Sequence, residues 1–137
     1  MKAALLGTLL LLLCIFGCSS GTIYDAFPEL EESGLHAVVF VTDINEEANH
    51  AYLDALLAIQ HSSPIETHVA TASEHAVEAG QFEITTYPCL ILMEDQEVRL
   101  KIEGSYPLEI IEEKLLTEVN RFSKESWMRS IQKVDKA

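Results

Sequence analysis

Five consecutive apolar residues, Cys89-Leu90-Ile91-Leu92-Met93, follow directly on Tyr87-Pro88. A strand without a polar position cannot turn either face to water, so both faces must be covered. Proline cannot donate to a sheet ladder, which puts Pro88 at the mouth of this strand and not inside it. The chain therefore has to build a sheet around this segment, with helices on either side.

The flanking sequence supplies the other elements. Leu35–Thr42, LHAVVFVT, reads as another buried strand between Gly34 and Asp43. Asp43 and Glu46 have the spacing of a capping box, with Asn45 as a competing cap. Ala48, Ala51, Tyr52, Ala55, Leu56 and Ile59 then recur at helical spacing until Ser62-Ser63-Pro64. Ile65–Thr71 is a further strand, and Ser73 is expected to cap a short helix that runs through Ala79 to Gly80. Glu94 to Glu97 is a polar turn. Val98 to Glu103 alternates strictly, with Val98, Leu100 and Ile102 expected on one face and Arg99, Lys101 and Glu103 on the other. Gly104 breaks that strand. Pro107 suits the first turn of a helix whose buried stripe is Leu108, Ile111, Leu115, Val119 and Phe122. The predicted order βαβαββα gives an α/β fold, a four-stranded mixed sheet with helices on both faces.

The first 17 residues have the form of a secretory signal: Lys2, an apolar run from Leu9 to Phe16, and a small residue at the cut. The run is too short to favour a permanent transmembrane helix. Ile15-Phe16-Gly17-Cys18 resembles the lipobox of bacterial lipoproteins, although Phe16 is bulkier than the residue usual there. The resemblance implies removal of residues 1–17 and acylation of Cys18, which anchors the chain to the extracytoplasmic face of a bacterial membrane. An ordinary signal peptide or an N-terminal anchor is the alternative. Residues 18–33 then form the lipidated N-terminus and a tether, 34–122 the domain, and 123–137 an amphipathic helical extension.

After such cleavage 120 of the 137 residues remain, enough for one domain with one core. Loss of Lys2 from the nine basic residues leaves eight against 22 acidic ones, a net charge of −14. A surface this acidic argues against nucleic acid as a partner. With Cys14 removed and Cys18 acylated, Cys89 is the one thiol left and no disulfide can form within the chain.

The pattern Phe82-x-Ile84-x-x-Tyr87-Pro88-Cys89-Leu90-x-Leu92, followed by a hairpin, Gly104 and an amphipathic helix, resembles the C-terminal half of a thioredoxin. Val38-Val39-Phe40-Val41 resembles that family's central strand, so the likeness spans roughly Leu35 to Phe122. It implies a thioredoxin-like fold in which Pro88 is cis, and in which the backbone of Tyr87 borders a groove that docks extended peptides. The departure lies where that family carries Cys-x-x-Cys at a helix start. The matching positions are Asn45-Glu46-Glu47-Ala48, which hold no thiol and add negative charge. Dithiol exchange by the family's mechanism requires thiolate there, so it is not expected.

Cys89 opens a strand read as buried, has no Lys or Arg close by in sequence, and is expected to be an inert core thiol. His36, His50, His61, His68 and His75 lack ligand spacing such as H-x-x-x-H, so neither a metal nor a cofactor is expected. No phosphate-binding loop or serine nucleophile signature is present. Trp127, Met128, Ile131 and Val134 recur three or four apart beside Lys124, Arg129, Lys133 and Lys136. This tail is expected to pack back on the domain or to fray, with a partner- or membrane-binding helix as the alternative.

The expectation is a membrane-anchored, extracytoplasmic binding module for a peptide, an envelope protein or a peptidoglycan-associated partner, with catalytic residues absent. The alternative enzymatic expectation is a thiol-dependent oxidoreductase or redox sensor that uses Cys89.

Overall fold

The computed structural model describes residues 23–31 and 33–136. The expected signal segment 1–17 and the acylation site Cys18 lie outside the described residues. Among the described residues the order is α1 (Ile23–Ala26), a 3-10 turn (Pro28–Glu31), β1 (Leu35–Val41), a 3-10 turn (Glu47–Asn49), α2 (His50–Ser62), β2 (Ile65–Thr71), α3 (Ala76–Gln81), β3 (Cys89–Glu94), β4 (Glu97–Glu103) and α4 (Leu108–Asp135).

The four strands form one mixed sheet in the order β2-β1-β3-β4. β1 pairs parallel with β2, with Leu35 beside Ile65 and Val41 beside Thr71. β3 runs antiparallel to both β1 and β4. The two central strands are the two apolar segments of the sequence, and every residue of each is buried. That match follows from their nearly continuous apolar sequence, in which His36 of β1 and Glu94 of β3 are the buried polar exceptions.

Alternate residues of the sheet feed two cores. On one face Val39, Leu90 and Leu92 meet Tyr52, Leu56 and Ile59 of α2 and Ile111, Leu115 and Val119 of α4. On the other, Val38, Phe40 and Ile91 meet Ala79 of α3, with Ile23 of α1 and Leu30 of the turn after it. The second core corrects one expectation. Residues 23–31, expected as the end of a tether, pack on the sheet because Ile23 and Leu30 are buried against it.

Three other boundaries move for local reasons. Asp43 does not complete a capping box: its carboxylate accepts from the Asn45 backbone N–H at 2.9 Å, while Glu46 accepts from the Thr42 hydroxyl at 2.8 Å. The chain passes through a 3-10 turn before α2 begins at His50, and Asn49 is buried where the helical spacing points to Ala48. α3 likewise begins at Ala76, after His75, and not at Ser73. In β4 a bulge pairs Leu92 with Leu100 but Met93 with Val98, leaving Arg99 as the extra residue. Val98 is thereby turned out to solvent, whereas Ile102 stays buried and Leu100 partly so.

The last helix begins after Pro107, as its fixed φ allows, and continues unbroken to Asp135. Its stripe Ile111, Leu115 and Val119 is buried as the spacing predicts. Beyond Phe122 the helix runs on, but Trp127, Met128, Ile131 and Val134 are exposed and do not pack back. Among the described residues no helix is long and apolar enough to cross a membrane.

Candidate functional site

The Tyr87-Pro88 peptide is cis. Three side chains from β4 and α2 hold the segment that leads to it. The Glu103 carboxylate accepts from the backbone N–H of Thr85 at 2.9 Å. The Lys101 ammonium donates to the carbonyls of Phe82 at 2.9 Å and Glu83 at 3.0 Å, and pairs with Glu103 at 3.2 Å. The Tyr52 hydroxyl, fully buried, donates to the Gly104 carbonyl, while Gly104 N–H donates to the Pro88 carbonyl at 2.9 Å. Gly104 takes a positive φ of 92°, which a residue with a side chain adopts only at a cost.

These contacts have electrostatic consequences. The N–H of Thr85, ahead of the neighbouring Lys101, holds the Glu103 carboxyl below its ordinary range. Burial drives the Tyr52 hydroxyl well above the ordinary value for a phenol, so it stays protonated and remains a donor. The alternation of β4 assigns Lys101 and Glu103 only to its solvent face. Their two-residue separation, which sets both on one side of the strand that borders Pro88, was the available signal.

Tyr87 is half-buried and packs at the margin of the second core, and Pro88 is buried. Among the described residues no hydrogen-bond partner engages the backbone N–H or C=O of Tyr87. Backbone polar groups buried in a folded protein are nearly always paired, and exposed ones are left to water or a guest. The N–H and C=O of Tyr87 sit side by side at the mouth of β3.

The Asn45–Ala48 segment lies at the same end of the sheet, because β1 meets β3 with Phe40 opposite Cys89. Asn45, Glu46, Glu47 and Ala48 are all exposed and carry no thiol. Cys89 is fully buried among the residues of the second core and forms no disulfide. Burial pushes its thiol up to about 12; nearby Glu103 adds to this and Lys101 partly offsets it. A thiol in that condition is protonated at neutral pH and makes a poor nucleophile.

The histidines are spread over β1, α2, β2 and the turn before α3, and their spacing along the chain shows no common site. The sheet nevertheless joins two of them. Strand pairing places His36 beside Glu66, and His68 follows Glu66 on the same side of β2. One ligand atom from each of the three lies within 4.8 Å of the others.

No protein-family model matches the chain, and no curated protein matches it. Solved structures do. The thioredoxin of Fasciola hepatica is 16% identical with a TM-score of 0.58, over 73% of this chain and 93% of that one. Mitochondrial thioredoxin 3 of Saccharomyces cerevisiae, in its oxidised form, is 15% identical with a TM-score of 0.58, over 73% of this chain and 90% of that one. The fold is thioredoxin-like. A mutant Entamoeba histolytica thioredoxin matches at the same TM-score of 0.58 with 8% identity, so the likeness is one of architecture carried by few shared residues. Within that thioredoxin-like frame, the cis Tyr87-Pro88 turn and Asn45–Ala48 occupy one end of the sheet.

Proposed function

We propose that this chain is a membrane-anchored, extracytoplasmic thioredoxin-like lipoprotein that docks an extended peptide or protein segment without dithiol chemistry. The observation that carries this reading is the open backbone pair of Tyr87, presented beside a cis proline whose loop is braced by Glu103 and Lys101. An extended strand laid against Tyr87 would supply both missing partners, which is recognition by strand addition. The exposed Glu46 and Glu47 at the same end favour a basic segment as the guest. The four residues Asn45–Ala48 contain no cysteine, and Cys89 is buried and protonated, so exchange chemistry has no attacking thiolate.

The docking half is tested by following backbone amide resonances while extended peptides of basic and of acidic composition are added. Shifts centred on Thr86 and Tyr87 that saturate with the basic peptides are expected. Saturable shifts confined to other surfaces would overturn the docking reading. Insulin reduction should be at background, and Cys89→Ser should change neither assay. Reductase activity that Cys89→Ser abolishes would establish the oxidoreductase alternative instead. The anchoring half is read by mass spectrometry of protein taken from a bacterial membrane: an acylated Cys18 at the mature N-terminus is expected, and an intact residue 1–17 leader with free Cys18 would refute it.

A further inference from the structure

We propose that His36, Glu66 and His68 form a binding site for a divalent late transition cation such as Zn²⁺, with a fourth position left to water. β1 and β2 run parallel with His36 paired to Glu66, which fixes an imidazole and a carboxylate side by side. His36 Nδ1 lies 3.7 Å from Glu66 Oε2. Residue 68 is two positions along the same strand from Glu66, so its side chain emerges on the same face. The result is two ring nitrogens and one carboxylate oxygen mutually within 4.8 Å.

A histidine–carboxylate ion pair accounts for only two members of this set. His68 brings a second ring, nearly parallel to that of His36 at 24° with centroids 6.5 Å apart. Its Nε2 is buried, and among the described residues no hydrogen bond reaches it. A buried ring nitrogen without a partner is costly unless something else engages it, and a cation supplies that engagement.

Donor chemistry selects the cation. Two imidazoles exclude Mg²⁺ and Ca²⁺, which take all-oxygen shells, and favour Zn²⁺ with Cu²⁺ and Ni²⁺ as competitors. Three protein ligands with an open fourth position is a recognised Zn²⁺ arrangement. Tetrahedral zinc with bonds of about 2.0–2.1 Å needs ligand atoms about 3.3 Å apart, so the set must close by roughly an ångström. Glu66 can supply that movement, since its side chain is 56% exposed on an edge strand, whereas His36 is fixed in the sheet at 2%. Phe27 packs against the His68 ring at 5.8 Å between centroids and limits its rotation.

The site is independent of the Tyr87-Pro88 turn. His36 faces Met93 across β1 and β3, while Phe40, four residues on, faces Cys89. Four residues of strand put about 13 Å between the two ends. Cys89 is therefore not a ligand.

The test uses the full-length chain in detergent, titrated with Co²⁺ alone and then with Zn²⁺ alone. One Co²⁺ per chain is expected, with visible bands of a low-coordinate nitrogen and oxygen site, no thiolate charge-transfer band, and displacement by Zn²⁺. His68→Gln and Glu66→Gln should each weaken binding at least about tenfold, as losing a ligand costs more than losing an outer-shell partner. His50→Gln and His61→Gln, at exposed histidines on α2, should leave it unchanged. Absence of stoichiometric binding at millimolar Co²⁺ would overturn the proposal. So would full affinity in His68→Gln, or an equal loss in the His50 and His61 variants. Far-ultraviolet dichroism of each variant fixes whether the fold is retained, and Glu66→Gln, at an exposed side chain, keeps the question decidable if His68→Gln unfolds.

Discussion

At Cys89 burial acts against ionisation, and this couples the thiol to stability. Its pKa is about 12 in the folded protein against an ordinary 9.0. Between those values the unfolded chain releases a proton that the folded chain keeps, so stability falls as pH rises above about 9. At about pH 10.5 this one group removes about 2 kcal/mol. Cys89→Ala is expected to be less stable than the parent near neutral pH, because it leaves a small cavity, yet to lose less between about pH 8 and pH 10.5. Urea unfolding of both proteins at the two pH values checks this, and parallel losses would refute it. Glu94 is a second residue whose role is set by burial. It is 3% exposed at the end of β3 and accepts from Arg99 at 2.7 Å and Arg129 at 3.1 Å. The two arginines are themselves partly exposed and can regain water when the carboxylate is lost. Glu94→Gln should therefore cost about 1–2 kcal/mol in urea unfolding, below the penalty for stranding a fully buried charge. No measurable change would mean that the pairing is incidental.

Among the elements, α4 has two halves with different physics under one hydrogen-bonded ladder. From Leu108 to Phe122 it is held by its apolar stripe, and beyond that Arg129 and its tie to Glu94 are the anchor that the geometry supplies. Trp127 is 66% exposed and is the sole tryptophan of the chain. Its emission should already be that of a hydrated indole in the native state, and iodide should quench it readily. On urea unfolding it should shift far less than the far-ultraviolet dichroism, which follows the helices and the sheet. A large red shift concerted with the dichroism would show that the tail is covered in solution. The same contrast marks what could be read from the sequence. Central strands and the α4 stripe were legible because local hydrophobic pattern determines them. The α2 start was not, since Asp43 directs its carboxylate to Asn45 and not to a capping box. Nor was the β4 bulge, where a one-residue slip turns Val98 outward and frees Arg99 to reach Glu94. The Pro88 turn was legible from its flanking residues, but its bracing by Lys101 and Glu103 depends on the fold of the loop. The His36, Glu66 and His68 cluster depends on the register of two parallel strands joined through α2, which no spacing along the chain displays.

Across the whole molecule, charge acts on stability in a way that no single contact captures. The chain carries 22 acidic and nine basic side chains, so at least 13 acids have no basic residue to pair with. Ion pairs such as Arg121–Glu118 and Lys101–Glu103 sit at the surface, where each contributes at most about 1 kcal/mol. Added salt weakens those pairs and also screens the repulsion among the unpaired acids, two effects of opposite sign. The repulsion involves more charges and acts over the whole surface, within a screening length of about 8–10 Å at physiological salt. It should therefore dominate. The melting temperature is expected to rise by a few degrees when potassium chloride is raised from about 10 to 200 mM. A chelator in both samples keeps the histidine cluster out of the comparison. A fall in melting temperature over the same range would mean that the few pairs outweigh the many unpaired acids.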